Sequence, residues 1–171
     1  MLRYGLILAL ICAVAAGLLA SVNSLTKSRI IAQAQAEEEA GLKEVMPQAV
    51  RFEAAKSGEA IVYYNAYDEQ EKIIGTVFKA SAKGYSSQIE TMAGVTSDGK
   101  ITNIKILNQN ETPGLGSRVA QPAFTSQFSN KDIRGLSEVQ AITGATISSK
   151  AVMDSVREKL KDIQELTKNA K

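Results

Sequence analysis

Residues 4–22, YGLILALICAVAAGLLASV, carry no charged side chain. At 1.5 Å per residue a helix of this length reaches about 28 Å, close to the thickness of a bilayer's hydrocarbon core. The stretch therefore reads as a single membrane span, preceded by Arg3 and followed by Asn23, Ser24, Thr26, Lys27 and Arg29. A cleaved signal peptide is the competing reading. Its apolar core would run about 7–15 residues and end at a small-x-small site, and the small residues around Val14, Ala15 and Ala16 keep it open. Cys12 lies inside the run and reads as a small apolar residue. Basic residues number one before the span (Arg3) and three soon after it (Lys27, Arg29 and Lys43). Taken alone, that count weakly favours a cytoplasmic carboxy-terminal part.

The rest divides simply. Residues 1–23 form the expected anchor. Residues 24–46 are rich in Ala, Glu and Gln, good helix formers, with a thin apolar stripe of Ile30, Ile31, Ala34, Leu42 and Val45, and read as a helical stalk ending before Pro47. Residues 47–171 are left for a folded domain. A chain of about 150 residues suffices for one core, and 44% hydrophobic against 22% charged residues is ordinary globular usage, which argues against disorder.

The absences exclude whole classes of chemistry. A formal charge of +2, with no basic run interleaved with aromatics, gives no case for nucleic acid. There is no His and one Cys. That rules out a Ser-His-Asp triad, a His-ligated haem, a facial metal triad, an iron–sulfur cluster, a structural zinc site and an internal disulfide. No calcium-loop spacing of Asp-x-Asp-x-Asp-Gly is present, so no metal site is expected. A redox cofactor, if there is one, must be organic and held by hydroxyls, backbone groups and apolar walls.

From Ala60 the pattern turns β-rich. Ile61 to Tyr64, Ile73 to Phe78, Tyr85 to Val95 and Ile101 to Leu107 read as strands, with polar turns at residues 68–72 and 97–100. Four strands on short turns make an antiparallel meander. Residues 117–128 predict one or two short helices interrupted by Pro122. Val152, Val156, Leu160, Ile163 and Leu166 or Thr167 lie on one face of a final amphipathic helix, expected to begin near residues 147–149 with a hydroxyl cap. The fold class expected is α+β, an antiparallel sheet with helices packed on it.

Just before that helix stands Thr143-Gly144-Ala145-Thr146-Ile147-Ser148-Ser149-Lys150. A helix start offers unpaired N–H groups and the positive end of the backbone dipole, which suits a phosphate. Gly144 lets the main chain turn and approach a ligand. Thr146 provides a hydroxyl where a phosphate would rest, and Lys150 lies one turn further on. The plainer reading of the same residues is a turn ending in a hydroxyl cap.

TGAT followed by ISSKAV resembles the flavinylation motif, Ser/Thr-Gly-Ala-Thr, of the FMN-binding domain family, which includes the G subunit of the Rnf complex and the C subunit of the sodium-translocating NADH:quinone oxidoreductase. Glu111-Thr112-Pro113-Gly114-Leu115-Gly116 is similar to that family's ETPGLG loop, which borders the flavin. Gly84-Tyr85 through Gly94-Val95, Asp98-Gly99-Lys100-Ile101 and Leu107 follow its pattern too. The resemblance implies FMN joined covalently, as a phosphoester, to Thr146. It implies a cofactor site drawn from Thr143, Gly144, Ala145, Glu111 to Gly116, Ser148, Lys150 and Tyr85, with no catalytic side chain. It also implies a flavin transferase that cleaves FAD and attaches its FMN half. Gln140 stands where many relatives have Asp, a departure that bears on how efficiently the transferase recognises the site. Glu111 has two possible roles, a hydrogen bond to the flavin's polar edge or the cap of a local turn. Tyr63, Tyr64, Tyr67, Phe124 and Phe128 are expected in the core, Tyr85 near a ring.

The function implied is electron transfer within a membrane-bound Rnf-type ferredoxin:NAD oxidoreductase coupled to ion translocation, with the other membrane subunits as partners. The family places the flavin domain on the outer, periplasmic face of the inner membrane and the amino terminus in the cytoplasm, against the basic-residue count. A free-standing extracellular flavoprotein and a non-redox anchored scaffold are the alternatives.

Overall fold

The structure, a computed structural model, describes residues 2–57 and 60–169. Helix α1 spans Leu2–Val45. The chain divides into two compact units, residues 1–38 and 39–171. In the first, α1 is long and apolar enough to cross a membrane, and Leu6, Leu10, Val14 and Leu18 all stand exposed.

The second unit is built on five strands, β1 (Arg51–Ser57), β2 (Ala60–Tyr67), β3 (Ile73–Lys83), β4 (Gln88–Thr96) and β5 (Ile101–Asn108). They pair antiparallel in the order β1-β2-β3-β4-β5, the meander expected from the turn spacing with one strand more at its edge. Strand β1 escapes a sequence reading because Arg51, Glu53 and Lys56 interrupt its apolar residues. Its ladder with β2 shifts register between Ala55 and Lys56.

Each face of the sheet carries its own core. On one side Phe78, Ile89, Ala93, Val95, Ile101 and Ile104 pack against Val152, Val156, Leu160 and Ile163 of helix α3 (Thr146–Asn169), the face expected of it. Leu166 is half exposed; the side chain of Thr167 lies outside the described residues. Phe124 and Phe128 close this core with ring centroids 5.4 Å apart. They come from α2 (Pro122–Thr125) and the short 3-10 turn after it, bounded by Pro122 as expected. Thr91 is wholly buried, and its hydroxyl has no hydrogen-bond partner among the described residues.

On the other side Leu42, Val45 and Met46, at and just beyond the end of α1, pack with Ala66, Val77 and Met92. The approach is close. A Cβ on Gly94 would stand 2.5 Å from the Val45 carbonyl oxygen, which also accepts from the Thr102 hydroxyl.

Candidate functional site

Helix α3 starts one residue before the expected range, directly after a tight turn. Ala145 N–H donates to the Ile142 carbonyl at 2.9 Å, and Gly144 holds φ +83, a conformation that strains any side chain. The cap is not the expected one. The wholly buried Ser149 reaches back, accepting from Ile142 N–H at 3.0 Å and donating to the Ala145 carbonyl at 2.9 Å. The N–H groups of Thr146, Ile147 and Ser148 have no acceptor among the described residues, as at any helix start. They form the positive end of a 24-residue helix dipole. The Thr146 side chain is exposed there.

The second wall leaves β5 as a turn closed by Leu115 N–H to the Thr112 carbonyl at 3.1 Å, with Pro113 second and Gly114 third at φ +75. These are the positions of a type II turn. Gly114 N–H donates to Ser117 Oγ at 3.0 Å. The turn carries Leu115 to the first wall, where a Cβ on Gly144 would lie 3.4 Å from Leu115 Cδ2.

The third wall is the turn of residues 84–87, with Tyr85 69% exposed. Its N–H groups converge on the Glu111 carboxylate, from Tyr85 at 3.1 Å, Ser86 at 3.0 Å and Ser87 at 2.8 Å. Ser148 Oγ donates to the same group at 2.6 Å. Burial pushes this carboxyl up, but hydrogen bonds from Ser148 and from the N–H groups of residues 85–87 outweigh it and hold Glu111 below its ordinary value.

Together the walls bound a cleft of about 600 Å³ lined by Tyr85, Glu111, Thr112, Leu115, Gly116, Gly144, Ala145, Thr146, Ile147 and Ser148. Small-molecule sites run about 300–1,000 Å³. Tyr85, Leu115 and Ile147 present exposed apolar surface at its rim. A phosphate suits the free N–H groups of α3, and a flat ring suits the apolar rim, so these residues fit FMN. No cluster of metal-ligating side chains occurs among the described residues.

The cleft thus brings together most of the residues expected from the sequence. Thr143, Pro113, Gly114 and Lys150 are exposed but lie outside its lining. Sequence pattern marks neither Ile147 nor Ser149 as a site residue. Ile147 lines the cleft, and nothing in its position signals that. Ser149 differs from Ser148 only in helical phase, which decides that one hydroxyl staples the turn and the other meets Glu111. Phe124 and Phe128 are core residues, Tyr63 and Tyr64 pack against the two cores, and Tyr67 stacks under Arg51 at 4.3 Å.

Comparison with known proteins agrees with this geometry. The FMN-binding domain family matches residues 84–161, which include all three walls, and the RnfG N-terminal region matches residues 1–45. The chain is 35% identical to the G subunit of the ion-translocating oxidoreductase complex of Methanosarcina acetivorans over 161 residues, 85% of each chain. It is 34% identical to the G subunit of the Na(+)-translocating ferredoxin:NAD(+) oxidoreductase complex of Acetobacterium woodii, covering 97% of this chain and 93% of that one. The crystal structure of Shewanella oneidensis NqrC shares the fold, with a TM-score of 0.50 at 20% identity over 66% of each chain. At these identities over nearly the whole length, with an FMN-binding domain behind an apolar amino-terminal helix, the chain belongs to the RnfG family, the G subunits of ion-translocating oxidoreductase complexes.

Proposed function

We propose that this protein is the electron-relay G subunit of a membrane-bound ferredoxin:NAD oxidoreductase complex coupled to ion translocation, carrying FMN as a phosphoester on Thr146. The supporting observation is the exposed Thr146 side chain at the unpaired N–H groups of α3, inside a cleft of about 600 Å³ with an apolar rim. Attachment would form a bond between Thr146 Oγ1 and the flavin-side phosphorus of FAD as that phosphorus's P–O bond to the AMP half breaks, with AMP leaving and the Thr146 hydroxyl proton passing to a base of the attaching enzyme. It calls for a flavin transferase, which would bring FAD and the base to the site.

FMN supplies the redox chemistry when bound. The chain's own residues hold and orient it. The N–H groups of Thr146, Ile147 and Ser148 face the phosphate, Gly144 keeps the approach clear of a Cβ, and Tyr85, Leu115 and Ile147 offer apolar surface to the ring. Thr143, Ala145, Thr112, Pro113, Gly114 and Gly116 shape the two turns, and Lys150 adds positive charge one turn along the helix. Neighbouring subunits of the complex donate and accept the electrons.

In this reading residues 1–23 anchor the protein in the cell membrane and residues 24–46 are a stalk whose last residues, Leu42, Val45 and Met46, join the core of the flavin-binding domain, 47–171, on the outer face. A covalent bond keeps FMN where free flavin is scarce, which supports the outward placement despite the basic-residue count. A cysteine placed at exposed Lys161 is expected to react with an impermeant reagent in intact cells; protection would put the domain inside. The attachment itself is tested by intact mass and peptide mapping of protein matured in a host that carries the transferase. A recovered, unmodified ITGATISSK peptide would leave only an anchored scaffold.

A further inference from the structure

Glu111 is the only buried charged side chain among the described residues, at 5% exposure. Three successive N–H groups, such as those of Tyr85, Ser86 and Ser87, make an anion-binding concavity. Here the chain fills that concavity itself. Oε1 accepts from Ser86 and Ser87, while Oε2 accepts from Tyr85 on one wall and from the Ser148 hydroxyl on the other. The 85–87 concavity is therefore closed to a ligand's phosphate. Two glycines keep room for the carboxylate. A Cβ on Gly84 would stand 2.6 Å from Oε1, and one on Gly116 2.7 Å from Oε2.

We infer that Glu111 is a positioning residue: through Oε2 it ties the turn bearing Tyr85 to the first turn of α3 bearing Thr146, and so sets the width of the cofactor cleft. Its role is neither a hydrogen bond to the flavin's polar edge nor the cap of one turn alone. Oε1 already accepts three hydrogen bonds and Oε2 two, and Oε2 spans segments that share no secondary structure. The inference rests on the flavin reading only for its consequence at the cofactor, since the tie itself exists without one.

Glu111→Gln and Ser148→Ala separate these roles. Gln keeps the shape but brings an NH₂ where donors converge. Ala leaves the three N–H bonds to Glu111 in place and removes only the bridge to α3. Full-length wild type and both variants, flavinylated by the transferase in detergent, are compared by the visible circular dichroism and fluorescence anisotropy of the flavin. Intact mass confirms equal loading. Amide exchange of residues 84–87 and 149–152, the first hydrogen-bonded amides of α3, is followed in flavin-free protein. Both variants are expected to lose flavin dichroism and anisotropy and to exchange faster at residues 149–152. Only Glu111→Gln is expected to lose protection at residues 85–87. Wild-type flavin signals and exchange at 149–152 in Ser148→Ala overturn the inference, whether or not Glu111→Gln folds. Absence of flavin from the wild type defeats the proposed function instead, and the exchange measurements then decide the tie alone.

Discussion

Ser149 Oγ lies 3.0 Å from the backbone nitrogen of Ile142, seven residues earlier, and accepts its proton. The hydroxyl thereby pins the turn that presents Thr146. Ser149→Ala would leave the Ile142 N–H without its acceptor, a loss of about 1–3 kcal/mol. A lowered Tm is expected, together with slower flavin attachment measured by intact mass over time. Attachment at the wild-type rate would show that the turn holds its shape without the staple.

Thr146→Val should abolish covalent flavin and leave the fold nearly unchanged. The side chain is exposed, and exposed substitutions of this kind change stability by about 0.5 kcal/mol or less. Intact mass and a thermal melt measure both. Flavin retained on the variant would mean that another hydroxyl is the acceptor.

Thr91→Val should stabilise the protein. The hydroxyl is buried without a partner among the described residues, and an apolar group of similar shape removes a desolvation cost of about 1–3 kcal/mol. A rise in Tm is expected, with flavin loading unaltered. A fall would show that the hydroxyl has a partner in solution.

Acid should weaken the fold through Glu111. Its folded value lies below the ordinary 4.5, so its contribution is complete above that value and is lost as the pH falls through the folded one. The Tm of flavin-free wild type should therefore drop below pH 4.5 more steeply than that of Glu111→Gln. Asp98, held down by the Thr96 hydroxyl, titrates alike in both and cancels from the comparison. Parallel curves would contradict the assignment.

Periodicity made much of this legible. The buried face of α3, the existence of strands β2 to β5 and the punctuation at Pro113, Gly114 and Gly144 are local patterns that the structure keeps, but residues 85–87, expected in a strand, form the turn whose N–H groups bind Glu111, and β3 runs on to Lys83. The TGAT and ETPGLG segments also come together at one cleft. Three features were not legible, because they depend on what the chain meets in space. Strand β1 has too many charged residues for a period to stand out. Leu42, Val45 and Met46 become core only because strands 20 and more residues later offer them a face. The fate of Glu111, polar contact or internal tie, turned on the distance to Ser148, 37 positions away.

The sheet is a meander in which every strand pairs with its neighbour in sequence, so it can be completed without the last part of the chain. The cleft cannot. Its walls come from residues 84–87, 111–116 and 142–149, and the Thr146 hydroxyl, the proposed acceptor, is in place only once the carboxy-terminal helix has docked. A chain without the docked helix would offer the proposed transferase two walls and nothing to modify. On the proposed reading, cofactor loading would work as an inspection stamp, given only to molecules in which this helix has been made and docked.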